Sequence, residues 1–497
     1  MGQRFLDGGA ADSARRSKGG ASMTLPPPAV RTHRLQLQIS ERRVLLMLGD
    51  TLAILLAVLL SLVIWLIMDG RHLGVSFLAA HSYWFPILAG LWWLLASAND
   101  FYNLRISSRL DQSMMRLVQV ELQVLVVYLV IFFLSPRTAL PRLFILYYGL
   151  LSFAFILAWR LWRPFLIGWT ATPRRALIVG TGHTAHTINA TLREEAPDDY
   201  RVVGLIRDKE GSSRGHPLPV LGSGASLLAI AQAHGVSEVI LANNGQDLSD
   251  EMFQALMDCY EAGLSIVPMP LLYEQVTGRV PIEHIGPNHW TSILPVEGTS
   301  IFDPYPTVKR LGDLTLAVIG LALFIVLLPF IALAMSLDSP GPLFFAQPRV
   351  GQGGKIFRVL KLRSMIPDAE RDTGPQWASD GDPRITRTGK FLRKTRLDEV
   401  PQLVNVLRGE MSLIGPRPER PEFIADLSRT IPFYRTRHTV RPGITGWAQV
   451  RYGYASSEDD ALVKLQYDLY YIRHQSLALD VLILLRTAGK MLSLQGR

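Results

Sequence analysis

Four apolar runs in the first third of the chain, roughly residues 44–68, 77–98, 115–134 and 143–162, constrain the fold before any other feature does. Each is close to the roughly 20 residues that a helix needs to cross a bilayer, where only an internally hydrogen-bonded backbone is tolerated. The third is the weakest, because Gln119, Glu121 and Gln123 interrupt it. The whole chain is 48% hydrophobic with a mean hydropathy of +0.20, which is too apolar for an ordinary soluble protein. Arg31, Arg34, Arg42 and Arg43 precede the first run, Arg105 and Arg109 lie in the second loop, and Arg160, Arg163, Arg174 and Arg175 close the fourth. Basic residues mark cytoplasmic loops, so both ends of this bundle are expected in the cytoplasm. Residues 1–43, rich in Gly, Ala, Ser and Pro, read as a disordered basic tail, and not as a signal peptide.

A net charge of +9 suits anionic lipid and phosphorylated substrates, and beside so much apolar sequence it does not point to nucleic acid. Cys259 is the one cysteine, so no intrachain disulfide can form, and no CxxC or HExxH spacing suggests zinc. From Arg174 the composition turns soluble. RRALIVGTGHTAHTINATL reads as strand, glycine turn and helix, with Gly180, Gly182 and Ala185 in a GxGxxA pattern. The following strand, RVVGLI, leads to Asp208, where a dinucleotide-binding fold places its ribose-binding acid. With SEVILAN and LSIVPMP behind it, a Rossmann-like α/β domain is expected over 174–295. These four residues are its candidate cofactor contacts, although glycines at such a turn also serve backbone packing alone.

The apolar run 311–336 is long enough to span a bilayer but holds Pro329, which removes the amide that would bond Ile325 and so bends a helix. Arg349, Lys355, Arg358, Lys361 and Arg363 follow it, as they should only on the cytoplasmic side. A re-entrant hairpin satisfies both facts; the alternative is a fifth span kinked at its proline. Further on, Lys361, Arg363, Arg384, Arg387, Lys390, Arg393, Lys394, Arg396, Arg417 and Arg441 recur among glycines and prolines. That density suits a diphosphate, because guanidinium groups grip phosphate oxygens in pairs. Within this basic field stands the adjacent pair Asp398 and Glu399. By itself such a pair is most simply a solvated helix turn; among phosphate-binding cations, one acid can attack phosphorus while its neighbour holds a divalent metal. The terminal LALDVLILLRTAGKMLSL has the pattern of a packing or interfacial helix.

The blocks KLRSM, DPRITRTGKFLRKTRLDEVPQLVNVLRGEMSLIGPRPERPE and RPGITGWAQV resemble the catalytic domain of monotopic polyprenyl-phosphate phosphoglycosyl transferases. These are the bacterial sugar transferases that begin exopolysaccharide, capsule and O-antigen synthesis. The likeness covers 308–497, and with the bundle and the Rossmann-like domain in front the chain resembles the long form, which includes undecaprenyl-phosphate glucose and galactose phosphotransferases. The implied architecture is a membrane α-helical bundle (44–168), an α/β Rossmann-like domain and a mainly α monotopic catalytic domain with a re-entrant membrane helix.

The resemblance implies a ping-pong reaction in which Asp398 takes the sugar phosphate from a UDP-sugar, releasing UMP, and undecaprenyl phosphate then removes it. Glu399 matches the ligand of Mg²⁺ (or Mn²⁺), and Lys361, Arg393, Arg417 and Asp468 match positions that line or support the phosphate and metal site. Arg363, Arg441, Gln449 and Arg451 complete the expected substrate-binding set, and Pro329 matches the proline that breaks the re-entrant helix. Also implied are a bacterial inner-membrane location, multi-pass, with the soluble and catalytic domains cytoplasmic, a homodimer, and polysaccharide export or polymerisation partners. NAD(P) is not expected. Two departures stand out: Leu328 replaces the usual Ser before the proline, and RYGYASSEDD replaces an Asn-Gly-Arg-like turn, with Arg451 two places early. The other readings are a membrane-tethered NAD(P)-dependent nucleotide-sugar enzyme, for which no Tyr-x-x-x-Lys pair is found in the Rossmann-like region, and a scaffold or sensor for an export complex.

Overall fold

The computed structural model describes residues 39–68, 81–99, 101–102, 110–134, 144–166, 173–197, 199–208, 217–242, 248–284, 303–367, 382–452 and 457–492. Each of the four apolar runs contains a helix: α1 (Ile39–Met68), α2 (Trp84–Ala98), α3 (Leu110–Leu134) and α4 (Phe144–Leu166). Helix α1 begins five residues before the apolar run, inside the stretch read as tail; the remainder of that tail and residues 77–80 of the second run lie outside the described residues. By length and composition α1, α3 and α4 can each cross a membrane, as can a fourth helix further along the chain, whereas α2 is described over only 15 residues. Leu46, Ile54, Leu88, Trp92, Val124, Tyr148 and Ile156 fill the bundle's centre, and leucines such as Leu52, Leu122 and Leu150 face outward. Two of the polar interruptions of α3, Glu121 and Gln123, are matched by partners outside that helix. Glu121 accepts a 2.6 Å bond from Ser152 of α4, and Gln123 accepts one of 2.6 Å from Asn99. Arg160 and Asp50, both buried, pair at 2.7 Å between α4 and α1.

The Rossmann-like domain is built on five parallel strands: β1 (Arg174–Val179), β2 (Tyr200–Arg207), β3 (Val220–Ser223), β4 (Glu238–Leu241) and β5 (Ser265–Pro268). Their order, β3-β2-β1-β4-β5, reverses direction at β1, which makes the β1/β4 crevice the topological switch point. Helices α5 (His183–Glu195), α6 (Leu227–Ala233), α7 (Asp250–Glu261) and α8 (Met269–Thr277) cover the sheet. Strand β3 has four residues and no apolar alternation, and so gives no sequence signal of its own.

The C-terminal region opens with α9 (Tyr305–Asp338), a helix of 34 residues that runs continuously through Pro329. A separate re-entrant hairpin is therefore not resolved as two helices. One face of α9 lies on the rest of the region along its whole length: Ala317 packs with Val406, and Phe324 and Met335 pack with Leu362 and Leu392. Leu328, in place of the expected Ser, is half-buried in that second cluster. The opposite face exposes Leu311, Leu323, Val326, Phe330 and Leu337. Both ends of α9 bond to the same body. Arg310 donates to the Val406 carbonyl at 2.8 Å and Asp313 accepts from the Leu413 amide at 3.1 Å, while Asp338 accepts from the Thr388 amide at 2.7 Å.

Next come the antiparallel hairpin β6 (Phe344–Val350) and β7 (Ile356–Leu362), then α10 (Arg387–Thr395) and α11 (Leu403–Arg408). Strand β8 (Ser412–Ile414), α12 (Pro421–Thr430), β9 (Gly443–Thr445), α13 (Trp447–Arg451), α14 (Glu458–Arg473) and α15 (Leu477–Leu492) complete the chain. β8 and β9 pair in parallel and bring the GPRP and RPGITG segments together so closely that a Cβ on Gly443 would lie 2.1 Å from the Gly415 nitrogen. Asn405 of α11 joins this part to β7, donating to the Arg358 carbonyl at 2.8 Å and accepting from the Leu360 amide at 3.1 Å.

Candidate functional site

Asp398 and Glu399 ride on a short 3-10 turn, Leu397–Gln402, between α10 and α11. The chain enters that turn through Arg396, which adopts a left-handed conformation (φ 56°) that is strained for a side chain with a Cβ. Both acids are buried, at 8% and 7% exposure. Their surroundings differ. Glu399 Oε1 accepts from Arg417 Nη2 at 2.7 Å and from Lys361 Nζ at 3.4 Å, and Oε2 faces Arg396 Nη1 at 3.5 Å. Among the described residues nothing hydrogen-bonds the Asp398 carboxylate.

Their acidities separate accordingly. Burial, then the charge of Glu399, pushes Asp398 up to about 6 against the pull of Lys361, Arg393 and Arg417. Burial would raise Glu399 as well, but Arg417 and Lys361 override it and hold that carboxyl far below the usual range. Burial also lowers the Lys361 ammonium, although Glu399 opposes it. The two carboxyls are thus pushed in opposite directions, Asp398 up and Glu399 down, the kind of split found at reacting carboxylates.

Lys361 comes from the end of β7 and Arg393 from the last turn of α10, where its Nε donates to Ser364 at 2.8 Å. Arg417 comes from the GPRP turn after β8. Behind it lies a layer in which only Asp468 had been expected. The buried Arg437 donates to the Arg417 carbonyl at 3.0 Å, to Asp468 at 2.7 Å and to the Tyr434 hydroxyl at 2.7 Å. Burial raises Asp468 to about 6, with Arg437 pulling it back. Asp468 thus supports Arg417 through Arg437. The short RxRH stretch around Arg437 carries no sequence cue that would separate this arginine from its solvated neighbours.

Other expected contacts are placed elsewhere. Arg363 gives its guanidinium to Ser339 and Pro340 oxygens at 2.6–3.3 Å and so ties the end of α9 to β7. Gln449 donates to the Ile444 carbonyl at 3.0 Å and, with Arg396 and Glu399, lines a pocket of about 190 Å³ walled by Leu403, Leu413 and Ile444. Arg451 lies over the Trp447 ring, and Arg441 lines a second cavity away from Glu399's pocket. Residues 453–456, within the RYGY departure, lie outside the described residues.

The glycine turn has a different character. Gly180, at φ 119°, has no room for a Cβ, which would sit 2.7 Å from the Ala242 carbonyl; packing of β1 on β4 accounts for it. Gly182 is the N-cap of α5 with open space around it, and Ala185 is buried beneath. The Asp208 carboxylate accepts from the Ser249 amide and hydroxyl at 3.3 and 2.5 Å, at the start of α7. Above the first turn of α5, the buried His284 stands 3.4 Å from the Thr184 hydroxyl and 5.2 Å from the His183 ring. Of the four residues read as cofactor contacts, Gly180, Ala185 and Asp208 are thus engaged in packing or capping, and Gly182 faces open space.

Among the described residues no group of three or more His, Cys, Asp and Glu side chains could hold a metal. Two adjacent carboxylates nevertheless offer hard oxygen donors, and Mg²⁺ is commonly held by one or two of these together with substrate phosphates.

Residues 304–494 match the family described as bacterial sugar transferase, and residues 97–270 match a CoA-binding domain. An Aeromonas hydrophila UDP-N-acetylgalactosamine-undecaprenyl-phosphate N-acetylgalactosaminephosphotransferase is 46% identical over 50% of this chain and 57% of its own length. A Komagataeibacter xylinus undecaprenyl-phosphate glucose phosphotransferase is 36% identical over 63% of this chain and 58% of its own. The chain thus spans under two thirds of both. It covers 92% of the exopolysaccharide production protein PSS of Rhizobium leguminosarum bv. phaseoli, at 40% identity over 36% of this chain. A buried acid pair on a strained turn within a cation cradle, and relatives that share the region bearing it, place this chain in the bacterial sugar transferase family.

Proposed function

We propose that the protein transfers a sugar 1-phosphate from a UDP-sugar to undecaprenyl phosphate at the cytoplasmic face of a bacterial inner membrane. The observation that carries the reading is the buried Asp398 carboxylate, which has no hydrogen-bond donor among the described residues and stands beside a Glu399 neutralised by Arg417 and Lys361. In the first step an Asp398 oxygen attacks the sugar-bearing phosphorus. A P–O bond to Asp398 forms, the P–O bond to UMP breaks, and UMP leaves with the bonding pair. In the second, a phosphate oxygen of undecaprenyl phosphate attacks the same phosphorus and returns Asp398 as carboxylate. Lys361, Arg393 and Arg417 would bind the phosphates and offset charge that grows on their oxygens. A Mg²⁺ ion held by Glu399 with Asp398 beside it would add further charge neutralisation on the diphosphate.

The placement of α9 supports a monotopic arrangement. Its two ends bond to one body and one face packs on that body throughout, which a helix crossing to the far side of the bilayer could not do. A cysteine placed near the C-terminus should therefore label from the cytoplasm alone; labelling from outside would make α9 a true span.

The relatives' names differ in the sugar, so the first experiment is a panel. Membranes containing the protein, undecaprenyl phosphate and Mg²⁺ are given UDP-glucose, UDP-galactose and UDP-N-acetylgalactosamine, and UMP release is measured for wild type and Asp398→Asn. UMP from one donor, lost in the variant, supports the reaction and names its sugar. No UMP from any donor removes the proposal.

A further inference from the structure

A second cavity, of about 600 Å³, opens at the base of α9, lined in part by Tyr305, Lys309, Leu311, Ser412, Val440 and Arg441. Strand β8 separates it from the pocket at the acidic pair: Ser412 and Ile414 line the cavity, whereas Leu413 lines the pocket that contains Glu399. Successive side chains of a strand point to opposite faces, so a ligand in this cavity does not sit beside Glu399.

Most charges on its wall are committed. Lys309 pairs with Asp480 at 2.8 Å, Arg310 donates to the Val406 and Leu407 carbonyls, and Asp313, the one acid among the lining residues, accepts from the Leu413 amide. Arg441 is the exception, since among the described residues its side chain makes no hydrogen bond or ion pair. One wall continues into the outward stripe of α9, beginning with Leu311, which is 66% exposed, and running on to Leu323 and Phe330. An uncommitted guanidinium at the mouth of an apolar surface that meets lipid is the complement of a phosphate head on acyl chains.

We propose that this cavity holds the headgroup of a resident anionic phospholipid, with Arg441 as its phosphate contact. The lipid anchors the base of α9 at headgroup level, and the acceptor lipid reacts on the other side of β8.

The test is binding, read independently of transfer. The full chain is reconstituted in nanodiscs of phosphatidylcholine with phosphatidylglycerol, released into mild detergent and weighed by native mass spectrometry. Wild type is expected to retain one phosphatidylglycerol, Arg441→Gln to lose it by about tenfold in occupancy, and Arg441→Lys to keep much of it. Thr307→Trp, which fills the cavity from an exposed helical position and leaves Arg441 intact, should also expel the lipid if the glutamine variant fails to fold. Added undecaprenyl phosphate should leave the retained lipid in place. Equal retention by Arg441→Gln or by Thr307→Trp, no retained phospholipid at all, or stoichiometric displacement by undecaprenyl phosphate would each overturn the proposal, the last by giving the site to the acceptor.

Discussion

Two motifs of this chain look equally functional as text, the GTGHTA turn and the LDEVPQL turn, and the fold treats them in opposite ways. In the first, Asp208 is bonded to Ser249, Gly180 is required by the Ala242 carbonyl, and His284 lies 3.4 Å from the Thr184 hydroxyl. In the second, Asp398 is buried and its carboxylate accepts no hydrogen bond among the described residues, while four cationic side chains, Lys361, Arg393, Arg396 and Arg417, approach the pair. A folded chain satisfies buried polar groups wherever structure is the only demand. Burying an acid without a hydrogen-bond partner costs stability, so the contrast is what a packing turn and a reactive turn would show.

The strongest way to break that contrast is Asp398→Asn. It should reduce UMP release by about a thousandfold or more, since a carboxamide is a poor nucleophile toward phosphorus. A loss of less than tenfold would make Asp398 a bystander. Next in size is Asp468→Asn. It leaves the buried Arg437 without its counter-charge, a destabilisation of roughly 3–5 kcal/mol, and loosens the turn that carries Arg417. Turnover is expected to fall by about 10–100-fold with little change in KM if Asp468 acts only through Arg437 on the turn that carries Arg417. A KM effect alone would instead place Asp468 against the substrate.

How much of this could be read beforehand depends on the length over which the signal acts. The membrane helices, the parallel strands around Gly180 and the acidic pair were legible because apolar period, glycine chemistry and charge density are local properties. The strained Arg396 and the Arg437 layer were not, since their roles arise from segments that are distant in sequence: Arg437 serves Arg417 across 20 residues and Asp468 across 31. Arg363 shows the converse. Its place in KLRSM invites a phosphate, but the end of α9 takes its donors first, at Ser339 and Pro340. Residue type was visible there, and the competition for it was not.

The pH dependence sharpens the comparison from the reactive side. On the proposed mechanism Asp398 must be ionised to attack, so transfer should fall as pH drops below about 6, the value to which burial and Glu399 raise it. Stability has the opposite sign. The folded value lies above the unfolded one of roughly 4, so the proton favours the native state, and stability is lost as pH rises through about 6. Asp398→Asn removes that loss. Its melting temperature should match wild type near pH 4 and exceed it near pH 7; a gap that is constant with pH would mean that Asp398 carries no buried charge.

The smallest effects on transfer belong to the glycine turn, and there two neighbouring glycines divide structure from ligand. Gly180→Ala pushes a Cβ to within 2.7 Å of the Ala242 carbonyl at a φ of 119°, so it should lower the melting temperature clearly, at a cost on the order of 1–3 kcal/mol. Gly182→Ala meets nothing within 4 Å and should be silent in stability. Asp208→Asn can still accept from Ser249 and should cost under about 1 kcal/mol. Neither Gly182→Ala nor Asp208→Asn should change UMP release by more than about twofold. Gly182 is the discriminating position: a nucleotide phosphate at the start of α5 would need the backbone approach that a methyl there obstructs, whereas packing does not. If Gly182→Ala lowered transfer tenfold in a protein of unchanged melting temperature, the glycine turn would serve a ligand as well as the fold, and the two motifs would be alike after all.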